Sequence, residues 1–94
     1  MYDIKPSTQF KKDMKRIQKS GRGKSDLEGI KRVIDELAIP AILPKKNKDH
    51  SLSGNYHNYR ECHIFPDLLL VYNQDKEKQI LFVYRIGSHS ELFG

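Results

Sequence analysis

Cysteine, long apolar runs and paired metal-ligand motifs are what this sequence has least of. Its one cysteine, Cys62, cannot close an internal disulfide, which fits a reducing cytoplasm. No stretch approaches the roughly 18 consecutive apolar residues of a transmembrane helix, so no membrane span is expected. The opening Met1-Tyr2-Asp3-Ile4-Lys5-Pro6 lacks the apolar core of a signal peptide, and the expected location is cytoplasmic. Spacing such as Cys-x-x-Cys is also missing. A zinc site drawn from His50, His63, His89 and Cys62 is therefore disfavoured, and no metal or cofactor is expected. No repeat, linker or low-complexity stretch divides the 94 residues, so one domain, residues 1–94, with one two-layered core is expected.

What is abundant is positive charge, and it is unevenly placed. Residues 1–24 carry eight Lys or Arg against Asp3 and Asp13, or +6, while the remaining seventy carry nine against ten, or −1. A basic front half suits a polyanionic partner such as nucleic acid or an acidic protein. The plainer reading of such a run is a solvated helix face.

Tyr2 to Lys5 reads as a short strand ended by Pro6. Ser7 can cap a helix over about Thr8–Lys19, with Phe10, Met14 and Ile17 as its apolar stripe and Lys11, Lys12, Lys15, Arg16 and Lys19 largely elsewhere. Ser20-Gly21-Arg22-Gly23 breaks that helix. Ser25 with Glu28 has capping-box spacing for a second helix, whose face is Leu27, Ile30, Val33, Ile34 and Leu37. So short a link predicts an antiparallel helix hairpin. Ala38 to Lys48 reads as a loop containing Pro40 and Pro44.

Beyond Gly54 the period changes to two. Arg60, Cys62 and Ile64 alternate with Tyr59, Glu61, His63 and Phe65. Leu68–Tyr72 is a nearly continuous apolar strand, and Asn73–Lys78 a polar connection. In the last strand Leu81, Val83 and Arg85 alternate with Ile80, Phe82, Tyr84 and Ile86. The predicted class is α+β: a first strand, two helices, then three antiparallel strands.

Three histidines fall in segments that such a fold could bring together: His50, His63 and His89. Asp67 follows His63 at a Pro66-Asp67 turn, and Arg85 precedes His89. Imidazole can take or give a proton near neutral pH, with an unperturbed pKa of about 6.5. With a guanidinium and a carboxylate nearby, that set suits metal-free cleavage of an RNA phosphodiester. A base would deprotonate the ribose 2′-hydroxyl, a cation would stabilise the phosphorane, and an acid would protonate the leaving 5′-oxygen. The ends of the strands must meet for this to work, and sequence does not fix their register. An isolated histidine is more often a surface residue, and His57 has only that reading. Cys62 is expected in the core, on the face opposite His63. Tyr59, Phe82 and Tyr84 are expected in the core. Phe93 can rest on the core or stack on a base.

Lys48-Asp49-His50-x-Leu52-x-Gly54, Tyr59-Arg60-x-x-His63-x-x-x-Asp67, Leu70-x-Tyr72 and Arg85-x-Gly87-x-His89-x-x-Leu92-Phe93-Gly94 together resemble the YafQ branch of the RelE/ParE toxin superfamily. The likeness spans nearly the whole chain and is strongest over residues 48–94. It implies a RelE/ParE-like fold, with the helix hairpin packed on a mainly antiparallel, strongly twisted sheet. It also implies the toxin of a type II toxin–antitoxin pair, an endoribonuclease that cuts mRNA on the 70S ribosome without a metal.

By the same resemblance His50, His63, Asp67 and His89 would do the acid–base work and Arg85 would stabilise the phosphate. His89 would be the acid, and His50 or Asp67 the base. Phe93 would orient the RNA. Lys11, Lys12, Lys15, Arg16, Lys45, Lys46, Lys48 and Arg60 would grip RNA phosphates. Glu61 stands where relatives carry aspartate and is an outside candidate. The implied partner is a cognate antitoxin, assembled as a heterotetramer that reaches operator DNA only through the antitoxin. The competing readings are a ParE-like inhibitor of gyrase, which does not need the histidine–aspartate set, and a small basic RNA-binding module without catalysis.

Overall fold

The computed structural model describes residues 2–39, 50–51 and 59–93, and for 50 and 51 the backbone alone. The elements run β1 (Asp3–Pro6), α1 (Thr8–Lys19), α2 (Lys24–Leu37), β2 (His50–Ser51), β3 (Arg60–Phe65), β4 (Leu68–Asp75), β5 (Ile80–Gly87) and α3 (His89–Phe93). The expected α+β order is present, with two additions. Among the described residues the sheet has five strands, ordered β1-β5-β4-β3-β2, because the His50–Ser51 bridge adds an edge to β3. The C-terminal segment, for which no element was predicted, contains a short helix. Lys45, Lys46, Lys48, His57 and most of the expected loop lie outside the described residues.

Ser7 caps α1 as its position suggests: its side chain accepts from the Phe10 N–H. Gly21, at φ +87°, ends α1 one residue past the Ser20 cap, in a conformation a side chain would resist. The Ser25–Glu28 capping box does not form. The cap of α2 is Gly23, without a side-chain bond, and Ser25 already lies inside the helix.

The main core lies between the helices and one sheet face. Phe10 and Ile17 of α1 and Ile30, Val33 and Leu37 of α2 meet Cys62, Leu68, Leu70, Tyr72, Leu81, Val83 and Ile86. Burying each large aliphatic side chain stabilises by about 1.5–3 kcal/mol. Cys62 is fully buried there, as expected.

Two irregularities shift the predicted alternation. Between Val71 and Tyr72 the β4–β5 register slips, so Tyr84 and Arg85 together oppose the single residue Val71. Ile86, instead of Arg85, then continues the Leu81–Val83 row into the core. Between His63 and Phe65 the β3–β4 register also slips. Phe65 therefore packs with the helix-side core, away from the face that strict alternation gave it. It lies so close to α2 that a Cβ on Gly29 would sit 2.8 Å from its ring tip. Phe82 was expected in the core and is instead exposed.

On the other sheet face Leu69, Val71 and Leu92 form a second, smaller core, flanked by Tyr59, Tyr84 and Phe93. Tyr59 and Tyr84 stack across it, with centroids 4.8 Å apart. Among the described residues no helix is long and apolar enough to cross a membrane.

Candidate active site

The register answers whether the strand ends meet. His50, Glu61, Val71 and Arg85 form one row across four strands, and His63, Leu69 and Gly87 form the next. Neighbouring strands lie about 4.8 Å apart. His63 is therefore about 10 Å from Gly87 at the backbone, and His89 follows two residues later. His63 shares its face with Leu69, the face on which α3 lays Leu92 and Phe93.

α3 is held to that face by its own sequence. The Ser88 side chain accepts from the Glu91 N–H, and the Glu91 carboxylate accepts from the Ser88 N–H at 2.8 Å. This reciprocal pair is the capping box that the chain does use, Ser88-x-x-Glu91. That backbone bond, the largest influence on Glu91, holds its carboxyl below the usual range, with help from Ser88's hydroxyl and Arg16. Leu92 anchors the turn in the smaller core. His89 stays exposed with its ring 5.2 Å from that of Phe93, tilted by 53°. Phe93 is half-buried, so it both rests on the core and meets the histidine.

Arg85 is held from α1. β1 pairs with β5 only from Ile80 to Val83. Beyond that point the chain has turned into α1, and side chains of α1 replace the missing strand. Asp13, fully buried, accepts from the Ile86 N–H, and Arg16 donates to the Ile86 carbonyl. The same Asp13 carboxylate takes Arg85 in a fork: Nε to Oδ2 at 3.1 Å and Nη2 to Oδ1 at 3.0 Å. Burial pushes the Asp13 carboxyl up. The bonds from Arg85, Ile86 N–H and Gln9, with the charge of Arg85, together outweigh burial and hold it below the ordinary value. Arg16 spans from Asp13, at 3.1 Å, to Glu91, at 3.2 Å, and so ties α1 to α3.

Asp67 is largely exposed at the β3–β4 turn and pairs with Arg22 at 2.6 Å. Arg22 also binds Asp26 and lies over the Phe65 ring. A cleft of about 380 Å³ opens between these groups, lined by Arg16, Arg22, Asp67, Leu68, Ser88 and Glu91. Arg16 also borders a second, basic cleft along α1 with Lys12, Lys15 and Lys19. Lys11 is exposed on the same helix, and Arg60 is half-buried at the start of β3. Glu61 is nearly buried, 3.7 Å from His63 Nε2, and the two form an ion pair only when the imidazole is protonated.

The sequence reading passed over Asp13, Arg22 and Glu91. Asp13 carried a signal: it lies three residues after Phe10, on the buried side of a helix otherwise rich in lysine. The zinc set is divided between two faces, since Cys62 sits in the helix-side core and His63 does not. Among the described residues no group of three His, Cys, Asp or Glu is arranged to hold a metal.

The family model for YafQ, a bacterial toxin of type II toxin–antitoxin systems, matches residues 2–94. The chain belongs to the YafQ toxin family. It is 35% identical over 92 residues to the mRNA interferase toxin YafQ of Escherichia coli K12, covering 98% of this chain and 96% of that protein. The crystal structure of a metal-bound toxin from Helicobacter pylori superposes with a TM-score of 0.87 at 45% identity, covering 99% of this chain and all of the other. YafQ in the E. coli DinJ–YafQ complex superposes with a TM-score of 0.78 at 33% identity, with both chains fully covered. The YafQ fold is thus this chain's fold, and Arg85, His89 and Phe93 belong to its last strand and α3.

Proposed function

We infer that this chain is the toxin of a type II toxin–antitoxin pair and an endoribonuclease that arrests growth by cutting mRNA on the ribosome. The reading rests on one observation above the rest. The cross-strand row from His63 through Leu69 to Gly87 leads directly into the turn that carries His89 and Phe93. Family membership and the E. coli mRNA interferase support it.

In this reading the RNA lies over the smaller core, beside α3. His50 or Asp67 removes the 2′-hydroxyl proton, and the freed oxygen attacks the adjacent phosphorus. Arg85 faces the extra negative charge that develops there. His89 protonates the departing 5′-oxygen, leaving a 2′,3′-cyclic phosphate, and Phe93 orients a base or sugar beside it. His63 belongs to the same acid–base set, and Glu61 lies against it. The exposed cations of α1, with Lys45, Lys46, Lys48 and Arg60, hold RNA phosphates, so binding weakens steeply with salt. The partner is a cognate antitoxin, as DinJ is for YafQ of E. coli. The complex is a heterotetramer that meets operator DNA only through the antitoxin, and toxin and ribosome meet in the cytoplasm.

Primer extension on translating ribosomes tests this. Wild-type protein should give discrete breaks within coding sequence, and His89→Gln should lower cleavage by about 10²–10⁴ while antitoxin binding persists. Undiminished cleavage by His89→Gln would remove the assigned acid. Altered DNA supercoiling without RNA breaks would favour gyrase inhibition instead.

A further inference from the structure

We propose that Asp13 and Arg16, one turn apart on α1, are positioning residues of the ribonuclease site, holding the Arg85 guanidinium and the His89 turn in one fixed relation. This rests on the nuclease reading above and adds two groups outside the histidine–aspartate set.

A phosphorane-stabilising guanidinium must stand in place before the charge develops. Arginine alone does not ensure that, because its side chain has several rotatable bonds and stands at the end of a strand. Here the Asp13 fork fixes the guanidinium plane through two bonds of 3.0 and 3.1 Å. Asp13 is itself anchored: it is fully buried and accepts a bond from the backbone of the same strand at Ile86. Arg16 carries the frame onward. It touches Asp13, the Ile86 carbonyl and Glu91, and Glu91 is the residue that closes the α3 cap. Arg85 and α3 therefore take their position from neighbouring turns of one helix. A purely structural role for Asp13 would be met by the Ile86 N–H and the Arg16 charge; the Arg85 fork is additional and aims at a residue of the site.

The test is single-turnover cleavage on ribosomes with Asp13→Asn, Arg85→Lys, the double variant and Ser7→Ala. Lysine keeps the charge of Arg85 but cannot be forked. Ser7→Ala removes another α1–β5 bond, to the Tyr84 carbonyl, together with the α1 cap, without touching Arg85. Asp13→Asn should lower the saturating rate at least tenfold, with unchanged half-saturating ribosome concentration and antitoxin affinity. In the Arg85→Lys background the same change should alter the rate less than twofold. Ser7→Ala should stay within twofold of wild type.

Equal losses from Asp13→Asn in both backgrounds, or an equal loss from Ser7→Ala, would overturn the inference while leaving the nuclease reading intact. Wild-type protein that cuts no transcript would overturn both. A measurement on the unaltered chain needs no variant to fold: the Arg85 Nε–H should exchange with solvent at least tenfold more slowly than that of exposed Arg32. Equal exchange would also overturn the proposal.

Discussion

Replacing Asp13 by alanine removes the buried carboxylate that joins α1 to β5. Three kinds of partner lose a bond. The Ile86 N–H lies on a residue with no solvent exposure, and losing its acceptor costs about 1–3 kcal/mol. Arg85 loses both teeth of its fork. Removing one member of a buried ion pair costs about 3–5 kcal/mol, but the Arg85 side chain is 19% exposed, so water recovers part of that. Arg16 is 41% exposed and Gln9 is exposed, and for them water substitutes with little loss. The sum is about 3–4 kcal/mol. For a domain of this size each kcal/mol lowers the melting temperature by about 4–8 °C, so a fall of at least about 12 °C is expected. Urea unfolding at pH 7 is the assay, with the slope checked so that a change in midpoint reports stability. A loss under 1 kcal/mol would show that Asp13 is not the hub of the α1–β5 junction.

Acid should destabilise the protein through two carboxylates. Asp13 and Glu91 both have depressed values when folded, so their contribution is present above the ordinary carboxylate range and disappears as pH falls through their folded values. The unfolding free energy should therefore decline below about pH 4, and Asp13→Asn should flatten that decline; a profile unchanged by the substitution would count against it. Ser88→Ala removes the α3 cap at about 1 kcal/mol, and amide exchange across α3 should accelerate while that of α1 does not. Asp67→Ala breaks only the exposed pair with Arg22 among the described contacts and should shift stability by under about 1 kcal/mol in a melt, so a larger loss would mean the contact is more than a surface bridge. Alanine at Lys12, Lys15 and Lys19 should each reduce the salt slope of ribosome binding by about one unit, measured by sedimentation across a salt series.

What could be read from the sequence followed periodicity. The helix stripes, the Ser7 cap and the buried Cys62 declared themselves through spacing, whereas the polar connection expected over 73–78 is shorter, because Asn73, Gln74 and Asp75 extend β4 and pair with β5. Strict alternation failed at Phe65 and at Arg85–Ile86, because a bulge inserts one residue and inverts every later side chain on that strand. The capping-box pattern occurred twice and formed once. Ser25 lost to Gly23, where the link from α1 sets the helix start, while Ser88 had no competitor. The two-residue β2 was too short for any pattern. The histidines and Arg85 were visible as residue types, and the family likeness gave them roles. The fork between Asp13 and Arg85 joins residues 72 apart and depends on β1 ending at Pro6, which no local pattern encodes.

The parallel pairing of β1 with β5 has a consequence for how the chain matures. Asp3 finds its strand partner at Ile80, and Asp13 finds Arg85, so the first element made waits for nearly the last. Non-local closure of this kind is slow and late. While the polypeptide is still growing, the helices can form and even meet, yet the guanidinium and its carboxylate anchor cannot join until β5 has been translated. The junction that fixes Arg85 is thus among the last parts of the molecule to close.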